Sequence, residues 1–257
     1  MIVSEADAAV LPSYAAYEFA EKVFRPLVNT LGGHAVHGAE RMRPVNGRAG
    51  IVTPNHLSNW DHFVVGLALL DLPELTRDSE QPDLEPLDPR AIHFMAKESL
   101  ERVPGVREFI RACGTFTVQR GRGIGLEPHL VDHVGNLMAN NALLGIYPQG
   151  HRERGPEDEK TLVRDKFKST AAFLALKYGV PLIPVGLAGP VKGPKFPRTL
   201  VFRPPIFTEQ MDPEDPGFKA AKDDLMDEVY TGVNNGYQQA RELQSQLEQK
   251  PGRENHA

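Results

Sequence analysis

The chain has little of several things, and each shortage narrows what it can be. It holds one cysteine, Cys113. An internal disulfide framework and a cysteine-based zinc site are therefore excluded, and a reducing compartment is the expectation. It has no uninterrupted apolar run of the ~18 residues that a membrane-spanning helix needs. The longest candidate, Phe63 to Leu70, has the length of a buried helix. The opening Met-Ile-Val-Ser-Glu-Ala-Asp has no basic stretch, so no secretory leader is expected. Basic charge is not in excess either. There are 29 Lys and Arg against 34 Asp and Glu, a net charge of −5. That argues against a general nucleic-acid binder and leaves room only for a local basic patch. No internal repeat is visible. What remains is 257 residues that are 40% hydrophobic, too apolar for wholesale disorder. A chain of that length can bury roughly 70–75% of its unfolded surface, enough for one sizeable core.

Along the chain, residues 13–31 read as an amphipathic helix. Ala20, Phe24, Leu27, Val28 and Leu31 recur at helical spacing, and Gly32-Gly33 stops it. Two roles fit: packing on the core, or lying in a bilayer interface with Tyr14, Tyr17, Phe19 and Phe24 as anchors. Short apolar runs bounded by Gly and Pro then read as strands at 50–52, 115–118, 143–147, 182–185 and 199–202. Helical patterns lie between them at 63–72, 126–140 and 169–178, the last closed by Gly179. This alternation predicts an α/β fold, a single-domain sandwich with a mixed central sheet flanked by helices and preceded by the N-terminal helix. The expected divisions are an N-terminal helical segment at 1–34, a catalytic domain at 35–207 and a polar C-terminal helix and tail at 208–257. An acidic, Pro-rich surface loop occupies 71–90.

Four stretches carry chemistry. In Asn55-His56-Leu57-Ser58-Asn59-Trp60-Asp61, a turn that folds back lets the Asp61 carboxylate accept the His56 Nδ1 proton. Nε2 is then left as a base. A helix cap from Ser58 or Asn59 is the plainer reading of the same residues, and His62 beside Asp61 also admits a metal reading. In Gly114-Thr115-Phe116-Thr117-Val118-Gln119-Arg120-Gly121, a strand ends in an arginine that can present a fork of donors to a phosphate. Between Met95 and Gly125 there are six basic residues against three acidic, a modest basic patch. In Tyr147-Pro148-Gln149-Gly150-His151-Arg152 a strand again ends in an arginine-bearing turn. Lys166 and Lys168 follow at a helix start that favours an anion. The fourth stretch, Val180-Pro181-Leu182-Ile183-Pro184-Val185, reads by itself as a buried edge strand.

In this order and spacing, the four stretches resemble the glycerolipid acyltransferases, the 1-acylglycerol-3-phosphate acyltransferase family. The family's Asn-His-x-Ser-x-x-Asp block is similar to His56–Asp61, and its Gly-x5-Arg block to Gly114–Arg120. Its Phe-Pro-Glu-Gly-Thr-Arg block is similar to Tyr147–Arg152, and its Val-Pro-x-x-Pro-Val block to Val180–Val185. Ala96-Lys97-Glu98-Ser99-Leu100 and Phe167-Lys168-Ser169-Thr170-Ala171 add to the likeness, which spans residues 50–205. Gln149 and His151 depart from the family's glutamate and threonine.

The resemblance implies transfer of a fatty acyl group from acyl-CoA or acyl carrier protein to a lysophospholipid hydroxyl, with no cofactor and no metal. His56 would be the general base and Asp61 its orienting acid. Arg120, Gln149, Gly150, His151, Arg152, Lys166 and Lys168 would seat the acceptor. The expected partners are lipid and acyl-thioester substrates and a membrane surface, with no nucleic acid. The expected place is peripheral, on the cytoplasmic face of a membrane. Gln149 and His151 leave open an acceptor other than lysophosphatidate, such as glycerol 3-phosphate, and a non-catalytic lipid binder is the remaining alternative.

Overall fold

The computed structural model describes residues 21–22, 25–26, 28–30, 33–58, 60–77, 84–97, 114–118, 128–152, 162–189 and 197–249. Seven strands form one sheet: β1 (His34–His37), β2 (Gly50–Pro54), β3 (Ile92–Lys97), β4 (Phe116–Val118), β5 (Leu143–Gly145), β6 (Leu182–Ala188) and β7 (Arg198–Phe202). Their spatial order is β1-β7-β6-β2-β5-β3-β4. All neighbours pair in parallel except β6 with β7, so the sheet is mixed, as the alternation predicts. Flanking helices are α1 (Asp61–Leu70), α2 (Pro128–Ala139), α3 (Thr170–Tyr178) and α4 (Phe218–Gln249).

The central strands β2, β5 and β6 are apolar along nearly their whole length because both faces are covered. Every residue of β2 and of β6 is buried. β6 lies between β7 and β2, so it is an interior strand and not the edge its two prolines suggest. Pro184 is tolerated because of where it falls. On its β7 side, Pro184 O accepts from Arg203 N at 2.9 Å, just past the end of β7. Pro204-Pro205 then interrupts the neighbour before pairing resumes between Leu182 and Ile206. The donor that proline lacks is missing where the adjacent strand has already ended.

Two strands escape the sequence pattern. β1 (His-Ala-Val-His) is half-buried throughout, and β3 threads His93 and Lys97 among its apolar residues, so neither reads as a clean run. The polar C-terminal segment also hides a buried stripe. Met226, Val229, Val233, Tyr237 and Ala240 of α4 join the same core as the sheet. The helix reaches the backbone of β6 through small residues. A Cβ on Gly186 would collide with the backbone of Gly236 and Tyr237. Of the expected helix at 13–31, residues 21–22, 25–26 and 28–30 are described and helical. Val28 is in the core, and Arg25 pairs with Asp71 at 2.5 Å. The aromatic anchors Tyr14, Tyr17, Phe19 and Phe24 lie outside the described residues.

Candidate active site

The first chemical turn begins where β2 ends. Asn55 is fully buried and replaces a strand partner with its side chain. Its Nδ2 donates to Leu187 O at 3.0 Å, and its Oδ1 accepts from Leu187 N at 2.6 Å. This fastens the turn to β6. On the other side β5 pairs with β2, and the chain beyond it brings Gln149 alongside. Gln149 Oε1 accepts from the His56 backbone N–H at 2.9 Å. Two buried amides from neighbouring strands thus fix the backbone of His56.

His56 Nδ1 then meets Asp61 Oδ2 at 2.9 Å. A carboxylate only accepts, so the proton sits on Nδ1 and Nε2 is the basic nitrogen. Asp61 is fully buried yet well supplied. Its Oδ2 also accepts from Leu57 N (2.6 Å) and Ser58 N (2.8 Å), and its Oδ1 accepts from the Ser58 hydroxyl (2.9 Å). It stands in the first turn of α1, where the helix dipole favours an anion. Burial works to raise the Asp61 pKa. The His56 hydrogen bond, the charge of Arg198 and the Ser58 N–H outweigh that and hold it below the usual carboxylate range. The paired-base arrangement is present, whereas the expected cap is not: Trp60 holds the N-cap position with no side-chain cap bond, and Asn59 lies outside the described residues. Ser58 Oγ accepts from Trp60 N at 3.1 Å, while Asp61 closes back on Ser58 N.

Aromatic rings wall the histidine. Tyr147 stacks on His56 with centroids 4.1 Å apart, and His62 meets the same ring edge-on at 5.6 Å. His62 also packs on Phe94 at 4.8 Å. Among the described residues no group of three His, Cys, Asp or Glu side chains is arranged to hold a metal. The Tyr147 hydroxyl is buried and has no hydrogen-bond partner among the described residues. Burial first, and the Asp61 charge second, push its pKa well above the usual phenol value, so it stays a donor.

The remaining residues singled out by sequence divide. Arg120 lies outside the described residues. Gln149 is fully buried and its side-chain oxygen is committed to His56, so its place is that of a positioning residue and not of an acceptor contact. Gly150 takes the left-handed conformation, φ +68°, in a turn closed by Gly150 N donating to Tyr147 O at 2.9 Å. His151 is exposed and its Nδ1 donates to Gln149 O at 2.8 Å. Arg152, Lys166 and Lys168 are exposed. Lys168 is drawn to the turn by its backbone N–H, which donates to Pro148 O at 2.7 Å. Three contributors escape the sequence pattern: Asn55 and Tyr147 lie within motif stretches that give them no role of their own, and Arg198 lies in no motif.

A family model described as acyltransferase matches residues 34–188. Among solved structures, the chain is similar to the 1-acyl-sn-glycerophosphate acyltransferase PlsC from Thermotoga maritima. The TM-score is 0.55 and the identity 21%, over 93% of this chain and 80% of that one. No curated protein sequence matches the chain.

Proposed function

The chain belongs to the acyltransferase family, and from that premise we propose that it moves a fatty acyl group from a thioester to the hydroxyl of 1-acylglycerol 3-phosphate. The single observation that carries this reading is the 2.9 Å His56–Asp61 contact, with Asp61 fully buried and ionised beneath the ring. His56 Nε2 takes the proton of the acceptor hydroxyl. The oxygen attacks the thioester carbonyl carbon, the carbon–sulfur bond breaks, and the thiolate leaves with the proton from the imidazolium. Asp61 holds the imidazolium charge between the two steps. No acyl-enzyme is needed, and Ser58 is occupied as a donor to Asp61.

Arg152, with Lys166 and Lys168 nearby in the chain and Arg120 by resemblance, supplies cations for the acceptor phosphate. The PlsC of similar fold is described as acting on lysophosphatidate, which supports the same acceptor here. The alternative acceptors, glycerol 3-phosphate or another lysophospholipid, were suggested by Gln149 and His151. With Gln149 turned to His56, His151 is the departure left at the surface. The donor is acyl-CoA or acyl carrier protein. We also place the enzyme peripherally on the cytoplasmic face of a membrane, because acceptor and product are both lipids. Among the described residues no helix is long and apolar enough to cross one.

The test is thiol release from acyl-CoA by purified protein, with and without lysophosphatidate. Release that depends on lysophosphatidate and vanishes in His56→Ala is the expected result. Release in an intact His56→Ala protein at the parent rate overturns the mechanism. Release with glycerol 3-phosphate in place of lysophosphatidate moves the acceptor. For membrane docking, liposome flotation should be lost when Phe24 and Leu27 are replaced by Asp.

A further inference from the structure

Among the described residues, four buried side-chain polar atoms have no hydrogen-bond partner: His34 Nδ1, Tyr147 Oη, and Arg198 Nε and Nη1. Misfits of packing would be scattered through the molecule. These gather at one end of the sheet. Tyr147 follows β5 at its carboxyl end, where His56 follows β2. β7 runs against β6, so its first residue, Arg198, stands beside the carboxyl end of β6. His34, the first residue of β1, is the register partner of Arg198 in the parallel β1–β7 pair.

Arg198 is the most demanding of the three. Only 4% of it is exposed. Its guanidinium lies against Gly189, where any Cβ would run into Nη1 and Cζ. Gly189 is two residues beyond Leu187, the residue that Asn55 grips from the neighbouring strand. The guanidinium is therefore carried to the flank of the turn that bears His56, close enough for its charge to be felt at Asp61. Beside it, His34 Nε2 lies 3.5 Å from Asp71 while Nδ1 has no partner. A buried guanidinium with unmet N–H groups is costly to the fold, and such groups in native proteins nearly always have partners. An arginine's planar fork of donors matches a phosphate or carboxylate.

We propose that Arg198, with His34 beside it, is a second anion-binding site that takes a phosphate group of one of the two substrates. It is distinct from the exposed Arg152, Lys166 and Lys168. Those residues follow β5, which is three strand spacings from β7 in the sheet order, about 14 Å at ~4.8 Å per strand. His56, just past the end of β2, lies between the two. Acyl transfer from a thioester to lysophosphatidate brings together two phosphate-bearing molecules. A base flanked by two anion sites can hold both while the reacting atoms meet. This inference rests on the acyl-transfer reading for the identity of the phosphates, but not for the existence of the site. The phosphate comes either from the acceptor or from the phosphopantetheine arm of the donor.

The experiment uses the full chain and its Arg198→Met and Arg198→Lys variants. Without ligand, the melting temperature of Arg198→Met should stay close to the parent's, because removing the unmet buried N–H groups offsets the loss of the Arg198 charge felt at Asp61. Then glycerol 3-phosphate and coenzyme A are added separately, each as a phosphate probe, and melting is followed by titration. One of the two should protect the parent, and Arg198→Met should bind that one at least tenfold more weakly. Arg198→Lys, which keeps the charge and loses the fork, should fall between. Loss of glycerol 3-phosphate binding assigns the site to the acceptor, and loss of coenzyme A binding assigns it to the donor. In turnover, KM for the matching substrate should rise in both variants, at least tenfold in Arg198→Met, while kcat of Arg198→Lys, which keeps the charge felt at Asp61, changes much less.

A ligand-free melting temperature that drops sharply in both variants would make Arg198 structural and overturn the proposal. So would unchanged affinity for both probes, or a parent that neither probe protects. If a probe binds through Arg198 but no acyl transfer is found with any acceptor, the site stands and the functional reading falls.

Discussion

Asp61 and Arg198 are both charged, both more than nine-tenths buried, and both at the carboxyl end of the same sheet. The chain treats them in opposite ways. Asp61 receives three N–H donors and a hydroxyl, all from residues 56–58. Two Arg198 nitrogens, Nε and Nη1, find no acceptor among the described residues. The difference teaches what each charge is for. A carboxylate completed by its own turn is set before any substrate arrives, and it can stabilise an imidazolium without rearranging. A guanidinium left incomplete has its interactions still to make.

The sharpest way to break this comparison is to empty the completed side. His56→Ala should lower the acyl-transfer rate by about 10²–10⁴-fold, the usual contribution of a positioned base, with the fold retained. Asp61→Asn should cost at least as much activity. Its neutral amide carries no charge to stabilise the imidazolium, and its NH2 group would meet the Ser58 hydroxyl that donates to Oδ1. It should also destabilise by about 1–3 kcal/mol, the cost of leaving buried hydrogen-bonding groups mismatched. Urea unfolding of the two variants separates the effects. His56→Ala should unfold near the parent midpoint and Asp61→Asn well below it. Next in size is Gln149→Ala, which strands the His56 N–H in a buried site. The expected loss of stability is about 1–3 kcal/mol, and activity should fall while KM for the acceptor stays near the parent value. A large rise in acceptor KM instead would return Gln149 to the role that the sequence suggests.

A second carboxylate gives the pH dependence. Burial works to raise the Asp71 pKa, but the His34 hydrogen bond and the Arg25 ion pair overcome it and hold the group below its ordinary value. A lowered folded-state pKa means that the stabilisation is fully present above the ordinary carboxylate pKa. It is lost as pH falls through the folded value. Stability measured from pH 7 down to pH 3 should therefore fall less steeply in Asp71→Asn than in the parent, though the variant starts lower. An identical acid slope would show that the Arg25–Asp71 pair contributes no linkage.

Much of this was legible in the sequence because the signals were local. The His56–Asp61 turn closes within six residues, so spacing alone could propose it. Five of the seven strands are apolar runs between Gly and Pro, and Gly179 stops α3 in the left-handed conformation, φ 61°, as its position implies. What was not legible depends on contacts between distant segments. Gln149 meets His56 across 93 residues and Asn55 meets Leu187 across 132. Nothing in either segment alone announces the partner. The Gly186–Gly236 contact that seats α4 on β6 is of the same kind. Arg198 is the extreme case. One arginine at the start of a short strand reads as a solvated end, and only the packing of β1, β6 and Gly189 around it makes it a buried charge.

The smallest expected effect sharpens the comparison from its middle. Tyr147 stacks on His56, beside the completed turn, but its hydroxyl is an orphan like the Arg198 nitrogens. Tyr147→Phe removes that oxygen and little else. If the hydroxyl is unmet in the free enzyme, its removal relieves a buried polar group. The melting temperature should then hold or rise, by an amount equivalent to no more than about 1 kcal/mol. The stacked ring keeps its contact with His56, so the His56 wall is unchanged and any activity difference belongs to the hydroxyl itself. A lower melting temperature would mean that the hydroxyl has a partner in solution. The unmet groups would then shrink to the Arg198–His34 corner, and the line between a completed site and an incomplete one would run between β2 and β7 instead of through Tyr147.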